Sequence, residues 1–163
     1  MHLLHPGDTF PELTLNVPGA QPIPVPGWFG AEFGVLLFNR GAWCPYCAAQ
    51  LSAFQRASEP LTQAGIRVAA LWVDNEKTTA DFIAKYGLTF PLGHSGNALA
   101  VAEKTGAFVN EHPLYLQSTG FVLDPQGTVI VSVYSSGAIG RLVPEDVIGL
   151  VRYLREHAAA SAG

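Results

Sequence analysis

Charge is scarce in this chain. Only 13% of its 163 residues are Asp, Glu, Lys or Arg, and the formal net charge is −4. No block of like charges occurs, which excludes a polybasic or acidic tail, and the lack of a basic surplus argues against nucleic-acid binding. Long hydrophobic runs are missing as well. The apolar runs are of strand length, short of the roughly 20 residues a membrane-spanning helix needs, so no membrane association is expected. The first eight residues, Met1 to Asp8, hold no charged segment leading into an apolar stretch. No secretory signal is expected, and the expected location is cytoplasmic. Cysteine is limited to two residues, Cys44 and Cys47. In a reducing cytosol such a pair is more readily catalytic or metal-binding than structural, and a bridge between them would close too short a loop to add much stability. The five histidines are scattered without paired spacing, so the further ligands of a zinc site are lacking. No metal and no organic cofactor is expected.

Apolar residues are plentiful at 48%, as a globular protein requires. The chain is read as one domain over residues 1–163, without internal repeats. The Pro- and Gly-rich stretch 6–30 holds two short alternating segments, 12–15 and 21–25, expected to pair as an edge hairpin because proline is tolerated where no backbone N–H is needed. Residues 33–39 carry an unbroken apolar run up to Phe38, the pattern of a central strand buried on both faces. A turn at 40–42 leads to Pro45, suited to the first position of a helix, with Cys44 as its N-cap. Leu51, Phe54 and Leu61 continue that helix at helical spacing to Gly65.

Residues 66–73 read as a second buried strand. Asp74 and Asn75 cap a helix carrying Ala80, Phe82, Ile83 and Tyr86, closed by Gly87. A short strand over 88–92 and a short helix over 97–104 follow, and 106–117 has no clear pattern. Residues 119–124 and 128–134, joined through Asp-Pro-Gln-Gly, form an antiparallel hairpin. A glycine-rich loop over 135–140, an amphipathic helix over 144–157 and a frayed tail over 158–163 complete the chain. The early strand–helix–strand unit implies parallel pairing with a right-handed crossover. The late hairpin implies antiparallel strands, so the expected architecture is a mixed sheet flanked by helices.

The chemistry gathers at Trp43-Cys44-Pro45-Tyr46-Cys47. A thiolate is the nucleophilic form, and a free cysteine with a pKa of about 8.5 is mostly protonated at neutral pH. A helix start offers unpaired N–H groups and the positive end of the dipole, and Cys44 at N-cap and Cys47 at N3 both lie in that field. Arg40 is a candidate for a further positive charge. The two-residue spacing brings both sulfurs within one helical turn, so either can attack a disulfide held by the other. Trp43 and Tyr46 would frame the site with apolar surface. Two cysteines so spaced at a strand-to-helix turn signal redox chemistry.

On these residues the chain resembles the thioredoxin superfamily, and within it the alkyl hydroperoxide reductase/thiol-specific antioxidant family of peroxiredoxin-like proteins. The lead-in Gly7-Asp8-Thr9-Phe10-Pro11-Glu12-Leu13-Thr14-Leu15 and the late Phe121-Val122-Leu123-Asp124 with Pro125-Gln126-Gly127 are similar to that family's. The resemblance covers nearly the whole chain and implies a thioredoxin-like fold with an N-terminal β-hairpin extension. The family's proline, three residues, threonine, two residues, cysteine falls on Arg40, Cys44 and Cys47, which makes Cys47 peroxidatic and places Gln50 where a Glu or Gln is frequent. The Trp-Cys-x-x-Cys of thioredoxins fits Trp43 to Cys47 directly and makes Cys44 the exposed nucleophile. This chain departs from both. It lacks the threonine of peroxiredoxins, whose place Cys44 takes, and the arginine they place just before the late strand, where Ser118 or Thr119 stands; it also lacks the cis-proline of thioredoxins, Pro113 being out of register. Arg40 or Arg141 would restore the lost charge, with contacts at the start of the last helix expected for Arg141.

The resemblance thus implies a thiol peroxidase cycling through Cys44 and Cys47, with Arg40, Trp43, Pro45, Tyr46 and Gln50 in support. The alternative is a thiol–disulfide oxidoreductase acting on protein disulfides, and a third reading is a non-catalytic or zinc-binding module. Partners would be a hydroperoxide or disulfide and an external thioredoxin- or glutathione-type reductant. Trp28, Phe29 and Tyr46 are candidates for a homodimer face, with a core role favoured for the first two.

Overall fold

Proline and alternation shape the start of the chain. In the computed structural model, which describes residues 2–162, β1 (Leu13–Leu15) and β2 (Ile23–Val25) pair antiparallel, with Thr14 opposite Pro24. The hairpin is a ladder of its own and not an edge of the main sheet. The period-two spacing puts Leu13 and Leu15 on one side, and that side, with Val25, packs on Leu36, Phe38, Leu71 and Phe121 of the sheet. The hairpin therefore covers a sheet face.

A single 3₁₀ turn (Gly27–Phe29) leads into β3 (Phe33–Phe38), then α1 (Pro45–Arg56), α2 (Ser58–Gln63) and β4 (Ile66–Leu71). Next come α3 (Glu76–Tyr86), β5 (Leu92–Gly93), α4 (Ala98–Thr105), β6 (Val109–Asn110) and β7 (Tyr115–Leu116). The chain closes with β8 (Thr119–Leu123), β9 (Val129–Tyr134) and α5 (Pro144–Ala162). Five strands make the main sheet in the order β5-β4-β3-β8-β9. β3 runs parallel to β4 and antiparallel to β8, and β9 returns antiparallel to β8.

Central position explains the unbroken apolar run of β3. Val35 and Leu37 enter one layer with Leu51, Phe54, Trp72, Phe82 and Val151, beneath α1, α3 and α5. Leu36 and Phe38 enter the other with Phe10, Leu15, Val25 and Val101, beneath the hairpin and α4. Both faces are dry, so alternation has nothing to mark. Gly34 of β3 is required by this packing, since a Cβ there would stand 2.5 Å from Cδ2 of the buried Phe29 ring. Gly34→Ala is expected to cost about 1–3 kcal/mol by overpacking, read as a lower urea midpoint at unchanged slope.

Several boundaries differ from expectation. The helix expected over 45–65 breaks at Ala57 (φ −90°, ψ 10°) into α1 and α2. Pro60 has no N–H for the carbonyl of Arg56, and its ring would clash there. The strand expected over 88–92 shrinks to Leu92–Gly93; Pro91 contributes only its carbonyl, which accepts from Ala70 at 2.9 Å. The second strand ends at Leu71. The unassigned stretch 106–117 holds the small β6–β7 ladder, its turn crossed by Asn110 Nδ2 donating to the Pro113 carbonyl. Two residues per strand are too few to show a period. In place of a frayed tail, α5 continues to Ala162, as an alanine-rich segment favours; Gly163, like Met1, lies outside the described residues. Asn75 and Asn97 cap α3 and α4, and Asp124 closes the β8–β9 turn by accepting from Gln126 and Thr128. Among the described residues no helix is long and apolar enough to cross a membrane.

Candidate active site

The carboxyl end of β3 delivers the site. Asn39 extends the ladder by donating to Leu71 O at 2.9 Å, and Arg40 and Gly41 then turn toward α1. Two bonds fix the turn: Cys44 N–H to Gly41 O at 3.1 Å, and Ala42 N–H to Asp74 Oδ2 at 2.7 Å. A Cβ at Gly41 would lie 2.2 Å from Trp43 Nε1, so glycine lets the Trp43 ring fold back over the turn. Cys44 is the N-cap of α1 in extended conformation, its sulfur accepting from Cys47 N–H at 3.4 Å, and Pro45 occupies N1. The local reading from sequence is thus observed, and one helical turn holds both sulfurs.

Two guanidinium groups from distant parts of the chain meet there. Arg141, expected to make contacts near the last helix, instead reaches across from the loop after β9. Its Nη2 lies 3.1 Å from Cys47 Sγ and 3.8 Å from Cys44 Sγ. It is aimed by Nε donating to Ala138 O at 2.6 Å and Nη1 donating to Gln50 Oε1 at 2.7 Å. Gln50 is buried on α1 and is itself tied down, donating to Leu142 O at 3.0 Å and accepting from Asn39 Nδ2 at 3.2 Å.

Arg40 approaches Cys44 from the other direction, Nη1 to Sγ at 3.8 Å, and its backbone N–H donates to Cys47 Sγ at 3.2 Å. Its Nε donates to Gln117 Oε1 and its Nη2 to Tyr115 Oη, each at 3.0 Å. The guanidinium carbon lies 4.9 Å from the Trp43 ring centre and 5.2 Å from that of Tyr115, and those rings meet edge to face.

Under this cover the sulfurs are closed off. Cys44 is 1% and Cys47 0% exposed, so Cys44 is not the open nucleophile that the thioredoxin pattern leads one to expect. The reason is tertiary: Arg40 and its aromatic partners come to rest beside the helix start. Pro45, Trp43 and Tyr46 remain on the surface, and of the two aromatics Trp43 takes part in the cover. Of the other aromatic candidates, Phe29 is in the core and Trp28 is half-buried with the Arg67 guanidinium 3.7 Å over its ring.

Tyr115, Gln117, Asn39 and Asp74 are site neighbours that the sequence did not single out. Tyr115 and Gln117 stand two apart in an extended segment, the one pattern that could have placed them on a common side. Among the described residues no cluster of His, Cys, Asp or Glu suits a metal ion.

The two thiols differ in acidity. Burial pushes Cys44 up, but donation from the Cys47 thiol and N–H, the Arg40 guanidinium and the Arg141 charge outweigh it, and its pKa falls below that of an ordinary cysteine. Cys47 goes the other way. Burial and its own donation to Cys44 hold its proton on, against the backbone at Gly41 and Arg40 and the Arg141 charge. Within this coupled pair the negative charge is favoured on Cys44 and the proton on Cys47.

Known proteins share this fold in outline. A peroxiredoxin of Methanothermobacter thermautotrophicus is 24% identical over 156 residues, covering 91% of this chain and 72% of the relative. Thiol-disulfide oxidoreductase ResA of Oceanobacillus iheyensis is 26% identical over 110 residues, 67% of this chain and 53% of the relative. Among solved structures, peroxidoxin BcpB from Mycobacterium tuberculosis superposes with a TM-score of 0.80 at 18% identity, covering 93% of this chain and 98% of that one. AhpC of Mycobacterium bovis does so with 0.78 at 18%, covering 95% and 94%. These structural likenesses establish a thioredoxin-like fold. The sequence model of the AhpC/TSA family matches residues 6–132, a stretch that contains both cysteines and four of the five main-sheet strands in full, and this chain belongs to that family.

Proposed function

We propose that the protein is a thiol peroxidase, reducing hydroperoxides through a Cys44/Cys47 dithiol–disulfide cycle. The observation that carries this reading is the near-complete burial of both sulfurs under two guanidinium groups, one of whose nitrogens touches both. A small peroxide can enter such a site with local adjustment; a folded protein disulfide needs an open sulfur.

Cys44 attacks as the thiolate. An S–O bond forms to the terminal peroxide oxygen and the O–O bond breaks. The departing alkoxide meets the N–H groups of Arg40 and Arg141 and leaves as the alcohol after taking one proton. Donors preplaced where the charge develops are the main source of rate in such a step. The Cys44 sulfenic acid then condenses with Cys47, which gives up its proton as water departs. Two equivalents of an external thiol return the disulfide to the dithiol. Gln50 and Asn39 serve as positioning residues for Arg141, and Tyr115 and Gln117 for Arg40. We place the cycle in a reducing, cytoplasmic setting.

The Trp-Cys-Pro-Tyr-Cys pattern and the ResA relative favour, as second reading, exchange with protein disulfides. One experiment separates them. Reduced protein mixed with hydrogen peroxide is expected to lose both free thiols, with an intramolecular disulfide in the mass spectrum, and to be slow at reducing insulin. Thiols that survive low-millimolar peroxide would sink the peroxidase reading.

A further inference from the structure

Among the described residues the two guanidinium groups at the dithiol have no carboxylate partner: neither Arg40 nor Arg141 has an ion pair within 4.0 Å. Apart from the sulfurs, the acceptors of their guanidinium groups are neutral: Gln117, Tyr115, the Ala138 carbonyl and Gln50. Asp74 holds the motif loop through Ala42 N–H and is not paired with either. Both arginines are half-buried, so solvent screens them only in part. The available counter-charge is the Cys44 thiolate, 3.8 Å from Nη2 of Arg141 and 3.8 Å from Nη1 of Arg40, with the Cys47 thiol 3.1 Å from the same Arg141 nitrogen.

Oxidation removes that counter-charge. A dithiol with one thiolate carries one negative charge, and the disulfide carries none. Forming the disulfide leaves two half-buried cations facing neutral sulfur. Every guanidinium–thiolate attraction therefore favours the reduced form, and the same attraction makes the Cys44 sulfur a better leaving group when an outside thiol attacks Cys47. The burial of both sulfurs restricts that thiol to a small one.

We infer that the paired arginines make the Cys44–Cys47 disulfide a strong oxidant, one that a small monothiol reduces without a protein partner. The step balances: two monothiols each lose a hydrogen, the protein disulfide gains both, and the products are the dithiol and one small-molecule disulfide. The first monothiol forms a mixed disulfide on Cys47 and frees Cys44 as thiolate, and the second displaces Cys47. This rests on the dithiol cycle proposed above and adds the direction in which that cycle is poised.

The test is a redox titration of the full chain at pH 7 in mixtures of reduced and oxidised glutathione, approached from the oxidised side, quenched by alkylation and read by mass. The constant is K for disulfide formation, [disulfide][GSH]²/([dithiol][GSSG]). Arg40→Gln and Arg141→Gln are each expected to raise K by about tenfold, which is about 30 mV for this two-electron couple, and the double variant to raise it further. Arg40→Lys and Arg141→Lys keep the charge and should fall closer to the parent than the glutamine variants do, a pattern that a merely structural role would not produce. Glutamine variants whose K stays within about threefold of the parent's would overturn the poise while leaving the dithiol cycle standing. Failure of glutathione alone to reduce the parent would overturn it too. A chain that forms no intramolecular disulfide at any ratio would overturn both.

Discussion

Cys44→Ser is expected to lower the second-order rate constant for reaction with hydrogen peroxide by at least about 10³-fold, as loss of a nucleophile does. Cys47→Ser should still react, within about tenfold of the parent, and stop at a sulfenic acid on Cys44 that no neighbour can condense with. The physical ground is the division of protons between the thiols. Cys44 sits at the N-cap, accepts from Cys47, and faces both guanidiniums; its pKa is lowered. Cys47 lies deeper and holds its proton. Rapid mixing under excess peroxide, followed by a sulfenic-acid trap and peptide mass mapping, reads the outcome directly. The reverse pattern, oxidation of Cys47 in Cys44→Ser, would assign attack to Cys47. The register of the peroxiredoxin motif points that way, and the 3.1 Å contact of Arg141 with Cys47 Sγ would then be the activating one.

Arg141→Gln is expected to have the next largest effect, a fall of about 10²–10³ in kcat/KM for peroxide, the usual cost of removing one preplaced donor. Its pH profile carries a second signature. Cys44 has a lowered pKa, so its thiolate persists below the range of an ordinary cysteine, and activity is lost as pH falls through that lowered value. Removing the Arg141 charge raises the Cys44 pKa, and the acid limb of kcat/KM should move to higher pH. The groups facing the sulfur are Arg40, Arg141 and the Cys47 thiol, and the shift has the same sign for loss of either arginine. Arg141→Lys should recover part of the limb and less of the rate, since an ammonium cannot hold Ala138 O, Gln50 and both sulfurs at once. A loss of rate with an unmoved limb would confine Arg141 to the departing oxygen.

Much of the fold could be read locally. The β3 run, the Asn75 cap and the Asp-Pro-Gln-Gly turn each carry their cause within a few residues, and each stands where the pattern placed it. What could not be read that way has equally specific causes. Helix α1 stops short because of Pro60, whose effect on the Arg56 carbonyl outweighs the helical spacing of Leu51, Phe54 and Leu61. The β6–β7 ladder is too short for a period, so no local pattern joins Tyr115 and Gln117 to Arg40; only their contacts in the folded chain do. The hairpin's place over a sheet face followed from which apolar surface was left to cover.

The dithiol at a helix start is written into the local sequence. Cys44 at N-cap, Pro45 at N1 and Cys47 one turn on are local chemistry, set by φ, by the missing proline N–H and by the unpaired donors of the first turn. Its surroundings come from long-range packing. Arg40 is four residues from Cys44 and Arg141 is 97, yet each comes to 3.8 Å from its sulfur. Spacing along a chain fixes neighbours within one helical turn; which charges face a buried sulfur depends on how β9, its following loop and α1 pack, and that packing is a property of the whole sheet.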